Sequence, residues 1–124
     1  MITLKTLPQA TAQEVFDQVT QHLLVQGKAA RTDSTGGCRY RAEVKKEILK
    51  CAAGCLIADE EYSSRFEGEP WRGLVRIQAV PSYHEDLVSS LQRLHDTCLV
   101  HDWPAKLKQL AKDYGLQYNP PQPS

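Results

Sequence analysis

The 124-residue chain has no apolar run approaching the roughly 18 residues of a membrane-spanning helix. Its opening residues, Met1-Ile2-Thr3-Leu4-Lys5, lack the long apolar core of a secretory signal. It also lacks net charge. Fifteen basic residues balance fifteen acidic ones, so there is no overall field to hold a polyphosphate backbone, and a nucleic-acid partner is not expected. There is no Gly-rich phosphate loop, no G-x-S-x-G and no H-E-x-x-H, which argues against a nucleotide triphosphatase, a serine hydrolase and a zincin. No internal repeat is visible.

What is present is ordinary globular composition, with 41% hydrophobic and 24% charged residues. The length suits one domain whose core needs no covalent staples. Residues 1–117 read as that domain, and the Pro-rich stretch 118–124 as a flexible tail.

Thr11-Ala12-Gln13-Glu14 is a capping-box pattern. Val15, Phe16, Val19, Leu23 and Leu24 follow at helical spacing and Gly27 closes the run, so a helix is expected over 11–26. Residues 28–37 read as loop, with Ser34-Thr35-Gly36-Gly37 a turn signal. Cys38-Arg39-Tyr40-Arg41 alternates as a short strand. Val44-Lys45-Lys46-Glu47 then suits a hairpin turn, with Ile48-Leu49 returning. Ala52 to Ala58 is small and apolar; alanine content favours a short helix over a strand. Residues 63–73 look irregular, and Leu74 to Val80 alternates as a strand or makes a helical turn.

Ser82 to Glu85 repeats the capping-box pattern. The stripe Leu87, Val88, Leu91, Leu94, His95, Cys98 then predicts a helix over 82–99. Asp102 is placed to cap a last helix with Pro104 in its first turn and Gly115 at its end. The expected architecture is a small α-rich α+β domain: three main helices, a short cysteine-containing helix and a β-hairpin.

Four residue groups could carry chemistry. The cysteines are Cys38, Cys51, Cys55 and Cys98. On one helix, Cys51 and Cys55 would stand about 6 Å apart, too far for the roughly 3.8 Å of a disulfide, so reduced thiols are expected. A structural zinc site would draw on Cys38, Cys51, Cys55 and a histidine, although only the 51/55 pair has the usual spacing. A thiol enzyme or sensor would use Cys51 or Cys55, with Cys51 at a helix N-terminus beside Lys50 and a histidine as base. His95-Asp96 and His101-Asp102 repeat the His-Asp pair of metal phosphohydrolases, but six residues apart they point to different helix faces.

The fourth group is polar. Arg39, Tyr40 and Arg41 precede the cysteine segment; Asp59, Glu60, Glu61 and Tyr62 follow it, and Glu67 and Trp71 come soon after. If the hairpin and the short helix pack together, these residues converge on one edge. Guanidinium there would bind an anion and tyrosine a planar group.

Cys38-Arg39-Tyr40-Arg41 and Leu49-Lys50-Cys51-Ala52-Ala53-Gly54-Cys55-Leu56-Ile57-Ala58-Asp59-Glu60-Glu61-Tyr62 resemble segments shared by a group of small proteins of tailed bacteriophages and prophages. The likeness extends to Glu67-Gly68, to Leu91 through Asp96, and to Trp103 with Leu107 and Ala111, about residues 11–117 in all. This chain differs in the charged insert Ala42 to Glu47. The resemblance supplies a context and no mechanism. It implies a cytoplasmic accessory protein in a bacterial host, with no catalytic machinery and no cofactor. Such a protein would bind and block a host protein, which could belong to a defence system, or sequester a nucleotide-type signal. The clustering of polar residues around the cysteine segment, not the resemblance, gives the candidate site: Arg39, Tyr40, Arg41, Glu60, Tyr62, His95 and Asp96. A homo-oligomer is a further expectation.

Overall fold

The structure, a computed structural model, describes residues 1–31 and 38–121. The turn signal at 34–37 and the last three residues of the tail lie outside them.

The first helix, α1 (Ala12–Gln26), forms as its caps dictate. Thr11 Oγ1 accepts the Glu14 N–H at 3.1 Å, and the Glu14 carboxylate accepts the Thr11 N–H at 2.8 Å. Gly27 ends the helix at φ 64°, a left-handed position that glycine adopts without strain. Val15, Phe16, Val19 and Leu23 are fully buried along one face.

A two-stranded antiparallel hairpin follows. β1 (Arg41–Val44) pairs with β2 (Glu47–Lys50) in the register Arg41↔Lys50, Ala42↔Leu49, Glu43↔Ile48 and Val44↔Glu47. Ala42 and Leu49 face the core. By the two-residue period, Arg41, Glu43, Ile48 and Lys50 share the opposite face. The turn is Lys45-Lys46, with both residues at positive φ (51° and 68°). These are the backbone signs of the type I′ turn that the twist of a tight hairpin selects.

From Cys51 to Glu69 the chain is held mostly by turns and single 3₁₀ turns at Gly54–Leu56, Asp59–Glu61 and Ser64–Phe66. Three helices complete the chain: α2 (Trp71–Arg76), α3 (Glu85–Thr97) and α4 (Trp103–Asp113). α3 packs against α1, α2 and α4. The core between them holds Trp71, Trp103, Phe16, Leu91 and Leu107, each at most 1% exposed. This is the small α-rich α+β domain expected, with its short fourth helix at Trp71–Arg76 instead of at the cysteine segment.

Several expectations shift in detail. The first strand begins at Arg41 rather than Cys38, which instead makes an isolated bridge to Arg31. The cysteine segment is a turn and a 3₁₀ turn rather than a helix, so Cys51 does not sit at a helix N-terminus. Of the stretch Leu74 to Val80, read as strand or helical turn, only the residues up to Arg76 belong to α2, which opens at Trp71 inside the region read as irregular; the rest is turn. α3 starts at Glu85 rather than beside Ser82. His84 takes the left-handed conformation (φ 60°) and its Nε2 lies 2.7 Å from the Ala10 carbonyl, so the chain turns there instead of continuing a capping box. Asp102 lies in a 3₁₀ turn over Val100–Asp102 and makes no capping hydrogen bond; its carboxylate lies 3.3 Å from His101 Nε2. The start of the expected tail rests against α1. Gln13 exchanges hydrogen bonds with the Gln117 backbone, and Gln21 donates to the Asn119 carbonyl.

Candidate functional site

The sequence-predicted site residues fall into two groups. Arg39, Tyr40, Arg41 and Tyr62 gather around Glu67. His95 and Asp96 form a separate cluster on α3. Glu60 is exposed on the 3₁₀ turn between Asp59 and Glu61.

Glu67 organises the first group. Its side chain is only 11% exposed. It accepts the Tyr40 N–H at 2.9 Å, the Arg41 N–H at 3.2 Å and the Tyr62 hydroxyl at 2.6 Å, with Arg39 Nη2 at 3.9 Å. One carboxylate thus satisfies two backbone donors where β1 enters the sheet. Burial and then the Glu67 carboxylate push the Tyr62 phenol above its ordinary range. The Tyr40 hydroxyl donates to the Glu69 carbonyl at 2.5 Å and its ring lies 6.4 Å from that of Trp71, so Tyr40 is a core residue with a satisfied polar tip.

Arg41 lies further out. Its guanidinium covers the Tyr62 ring at 4.8 Å and pairs with Asp59. Lys50, directly opposite in the hairpin register, reaches the same Asp59 oxygen at 3.6 Å. The N–H groups of Arg41 and Lys50 point away from the ladder, to Glu67 and to Gln26. The two therefore form a non-hydrogen-bonded pair, the kind whose side chains approach most closely. Like charges so opposed repel. Asp59, 80% exposed, stands between them as counter-ion. Its hydrogen bond from Arg41 and the charges of Arg41 and Lys50 hold its carboxyl below the usual range. The result is a two-cation cradle filled by an exposed side chain.

Lys50 also belongs to an open cleft of about 490 Å³ at the end of α1, together with His22, Val25, Cys55 and Met1. Val25 is 72% exposed, and Ile48, on the face of Lys50, is 57% exposed. Each of these exposed apolar side chains is thus a neighbour of Lys50, Val25 in the cleft and Ile48 on the hairpin face.

The second group is built into the interior. His95 is fully buried against Trp103, with ring centroids 5.6 Å apart. Its Nε2 accepts the Ala30 N–H at 3.0 Å and its Nδ1 lies 2.8 Å from Asp96 Oδ1. A backbone N–H only donates, so the Nε2 must be bare and the Nδ1–H donates to Asp96. Gln92 joins the network, donating to Asp96 Oδ1 and accepting the Ala53 N–H. Burial opposes the Asp96 charge, but hydrogen bonds led by that from His95 keep its carboxyl below the ordinary range.

Cys38 Sγ, a His95 nitrogen and an Asp96 oxygen lie within 4.8 Å of one another, among the described residues the one cluster of three ligating side chains. The tautomer does not suit a metal. A ligating histidine turns its second nitrogen to an acceptor, whereas here that nitrogen faces the Ala30 N–H. Of the expected zinc set, Cys38 and a histidine meet here, but Cys51 and Cys55 do not join them. Cys51 Sγ accepts the Gly54 N–H at 3.2 Å, and Cys55 Sγ donates to the Ala52 carbonyl at 3.1 Å.

Nor are these thiols poised as nucleophiles. Burial pushes Cys51 well up, Cys55 up to about 12 and Cys38 to about 11. Glu61 was named in the sequence only as part of an acidic cluster. It proves to be a second carboxylate hub, accepting the Leu4, Lys5 and Ala58 N–H groups. No local signal marks it, because two of its donors come from the distant N-terminal segment. No protein-family model matches the chain, and neither the curated proteins nor the solved structures include one significantly similar to it.

Proposed function

We propose that the chain is a non-enzymatic accessory protein of phage or prophage type that binds a protein of its bacterial host and blocks it. The observation that carries this reading is the cradle of Arg41 and Lys50 around Asp59, beside the exposed Ile48 and Val25. A partner that sets an Asp or Glu next to an apolar side chain fits this face. Its carboxylate would take the place of Asp59, and its apolar group would cover Ile48 or Val25. Two cations on one exposed carboxylate give orientation and association rate more than raw affinity.

A nucleotide-type signal fits this edge less well. It needs a free tyrosine face on which to stack, and the Tyr62 ring already carries the Arg41 guanidinium on one face and the edge contact of Phe66 at 6.3 Å.

The test is affinity capture from host lysate with the wild-type chain, Arg41→Ala and Asp59→Asn, at low and high salt. Wild type should retain a defined host protein in a salt-sensitive way. Arg41→Ala should lose it, and Asp59→Asn should keep or strengthen it. The reading fails if all three proteins retain the same set, or if none retains anything specific.

A further inference from the structure

The cradle and the cleft at the end of α1 meet in one residue. Lys50 lines the cleft and also brings its Nζ to 3.6 Å from the Asp59 carboxylate. Both cations are held in place. The side chains of Arg41 and Lys50 are only 22% and 28% exposed, and the Arg41 guanidinium lies over the Tyr62 ring. Asp59 is the loose member, an exposed side chain on a single 3₁₀ turn. An incoming carboxylate therefore meets a preset guanidinium and ammonium and displaces only a surface group.

The cleft adds a second requirement. Its polar walls are already engaged with backbone: Gln18 with Ile2 and Cys55, Gln21 with Asn119, and His22 with Lys50. Burial lowers the pKa of His22 and keeps it neutral at pH 7. Lys50 is the one charged side chain among these walls, and Val25 and Cys55 line the rest of the opening. An occupant is thus apolar, with its negative charge within reach of Lys50.

Nor is the occupant a strand added to the hairpin. At this end of the ladder the outward backbone groups are taken. The Arg41 N–H donates to Glu67 and the Lys50 N–H to Gln26. The Arg41 carbonyl accepts from Arg39, and the Lys50 carbonyl from Gln26. An extended segment passing through finds no backbone partners here. A chain end leaves on one side only, and its last residue carries a carboxylate and a side chain on a single α-carbon.

We propose that the cradle and the cleft together bind the C-terminus of a partner chain whose last residue is apolar, with its α-carboxylate on Arg41 and Lys50 and its side chain beside Val25. This rests on the reading above that a partner's carboxylate replaces Asp59, and goes beyond it in taking that carboxylate from the chain end.

The experiment titrates the full chain with three short acetylated peptides while following the Val25 methyl signals in carbon–proton correlation spectra. One ends in leucine with a free carboxylate, the second is its C-terminal amide, and the third is amidated with adjacent aspartate and leucine inside. The free acid should move the Val25 signals saturably and bind about tenfold more tightly than its amide. Lys50→Gln should weaken it about tenfold, and Asp59→Asn, an exposed change, should strengthen it severalfold. The proposal is overturned if the free acid moves nothing below about 10 mM, a limit well beyond millimolar affinity. It is equally overturned if the amide or the internal aspartate peptide binds as tightly, or if both variants bind like wild type. If any of these results comes while Arg41→Ala still loses the host protein that wild type captures, this inference alone falls and the reading above stands.

Discussion

The Tyr40 carbonyl occupies the space that a side chain on Gly54 would need. The two backbones touch where the strand segment crosses the cysteine turn, and the Cys51 thiol lies against the same spot. Gly54 is there for closeness, since its backbone is not left-handed. Gly54→Ala should therefore destabilise the fold by about 3 kcal/mol, the upper range for overpacking a tight interior. Urea unfolding measures it, and a loss under about 1 kcal/mol would mean that the crossing yields easily.

The Lys45-Lys46 turn holds two β-carbon-bearing residues at positive φ, a conformation that favours Asn-Gly. Replacing the pair, Lys45→Asn with Lys46→Gly, should raise stability by about 1 kcal/mol. Thermal melting would show the gain. An unchanged or lower melting temperature would mean that the lysines make compensating contacts.

Glu67 takes the place of a neighbouring strand for the Tyr40 and Arg41 N–H groups. Glu67→Ala would leave both donors and the Tyr62 hydroxyl without their acceptor, at a cost of about 3 kcal/mol. Glu67→Gln keeps one carbonyl oxygen and should cost less. If the two variants unfold at the same denaturant concentration, the carboxylate pair is not what orders this edge.

His22 gives the fold a pH dependence near neutrality. Burial, then the nearby positive charge of Lys50, lowers its pKa below 6.5, outweighing its hydrogen bond to the Lys50 carbonyl. The unfolded chain therefore binds the proton more readily than the folded one. Stability should be complete above pH 6.5 and fall as the pH drops from there toward the depressed value. His22→Gln, with a side-chain amide that still donates, should flatten this slope. The carboxyls of Glu61 and Asp96, also lowered, act only at more acid pH, below their unfolded values. A wild-type stability unchanged between pH 7 and pH 5 would contradict the assignment to His22.

Native-state alkylation tests the cysteines. With a pKa of about 12 against an ordinary 9.0, Cys55 holds about a thousandfold less thiolate than a free thiol. Cys51 is fully buried besides. Iodoacetamide at neutral pH should modify both only after unfolding, and rapid labelling of either in the folded chain would revive a thiol mechanism.

The helices were legible wherever a cap and a stripe coincide. Thr11 with Glu14 and Gly27 fixed α1 at both ends, while α3 lost its predicted cap because His84 bonds to Ala10, 74 residues away. The cysteine turn misled because alanine content speaks for helix while the contact of Gly54 with Tyr40 decides the shape. α2 was obscured because Leu74 to Val80 alternates like a strand, although Trp71 and Leu74 bury a helical face. At the site, Arg41 and Tyr62 with Asp59 could be grouped from the sequence once the hairpin was assumed; Lys50 was read only as a neighbour of Cys51, and its place opposite Arg41 comes from the strand register. The assignment of His95 to the interior could not, because its partner is the backbone of Ala30, and no side-chain pattern encodes a backbone donor.

That bond also bears on the order of assembly. It closes a loop of 65 residues, whereas the helices and the hairpin rest on neighbours in sequence. Non-local closures come late, because the chain loses entropy before such contacts repay it. The imidazole should therefore lock a nearly formed molecule rather than nucleate one. Weakening the lock with His95→Gln would leave the folding rate almost unchanged and accelerate unfolding. His95 would then set how long each folded molecule lasts, while the helices set how soon it forms.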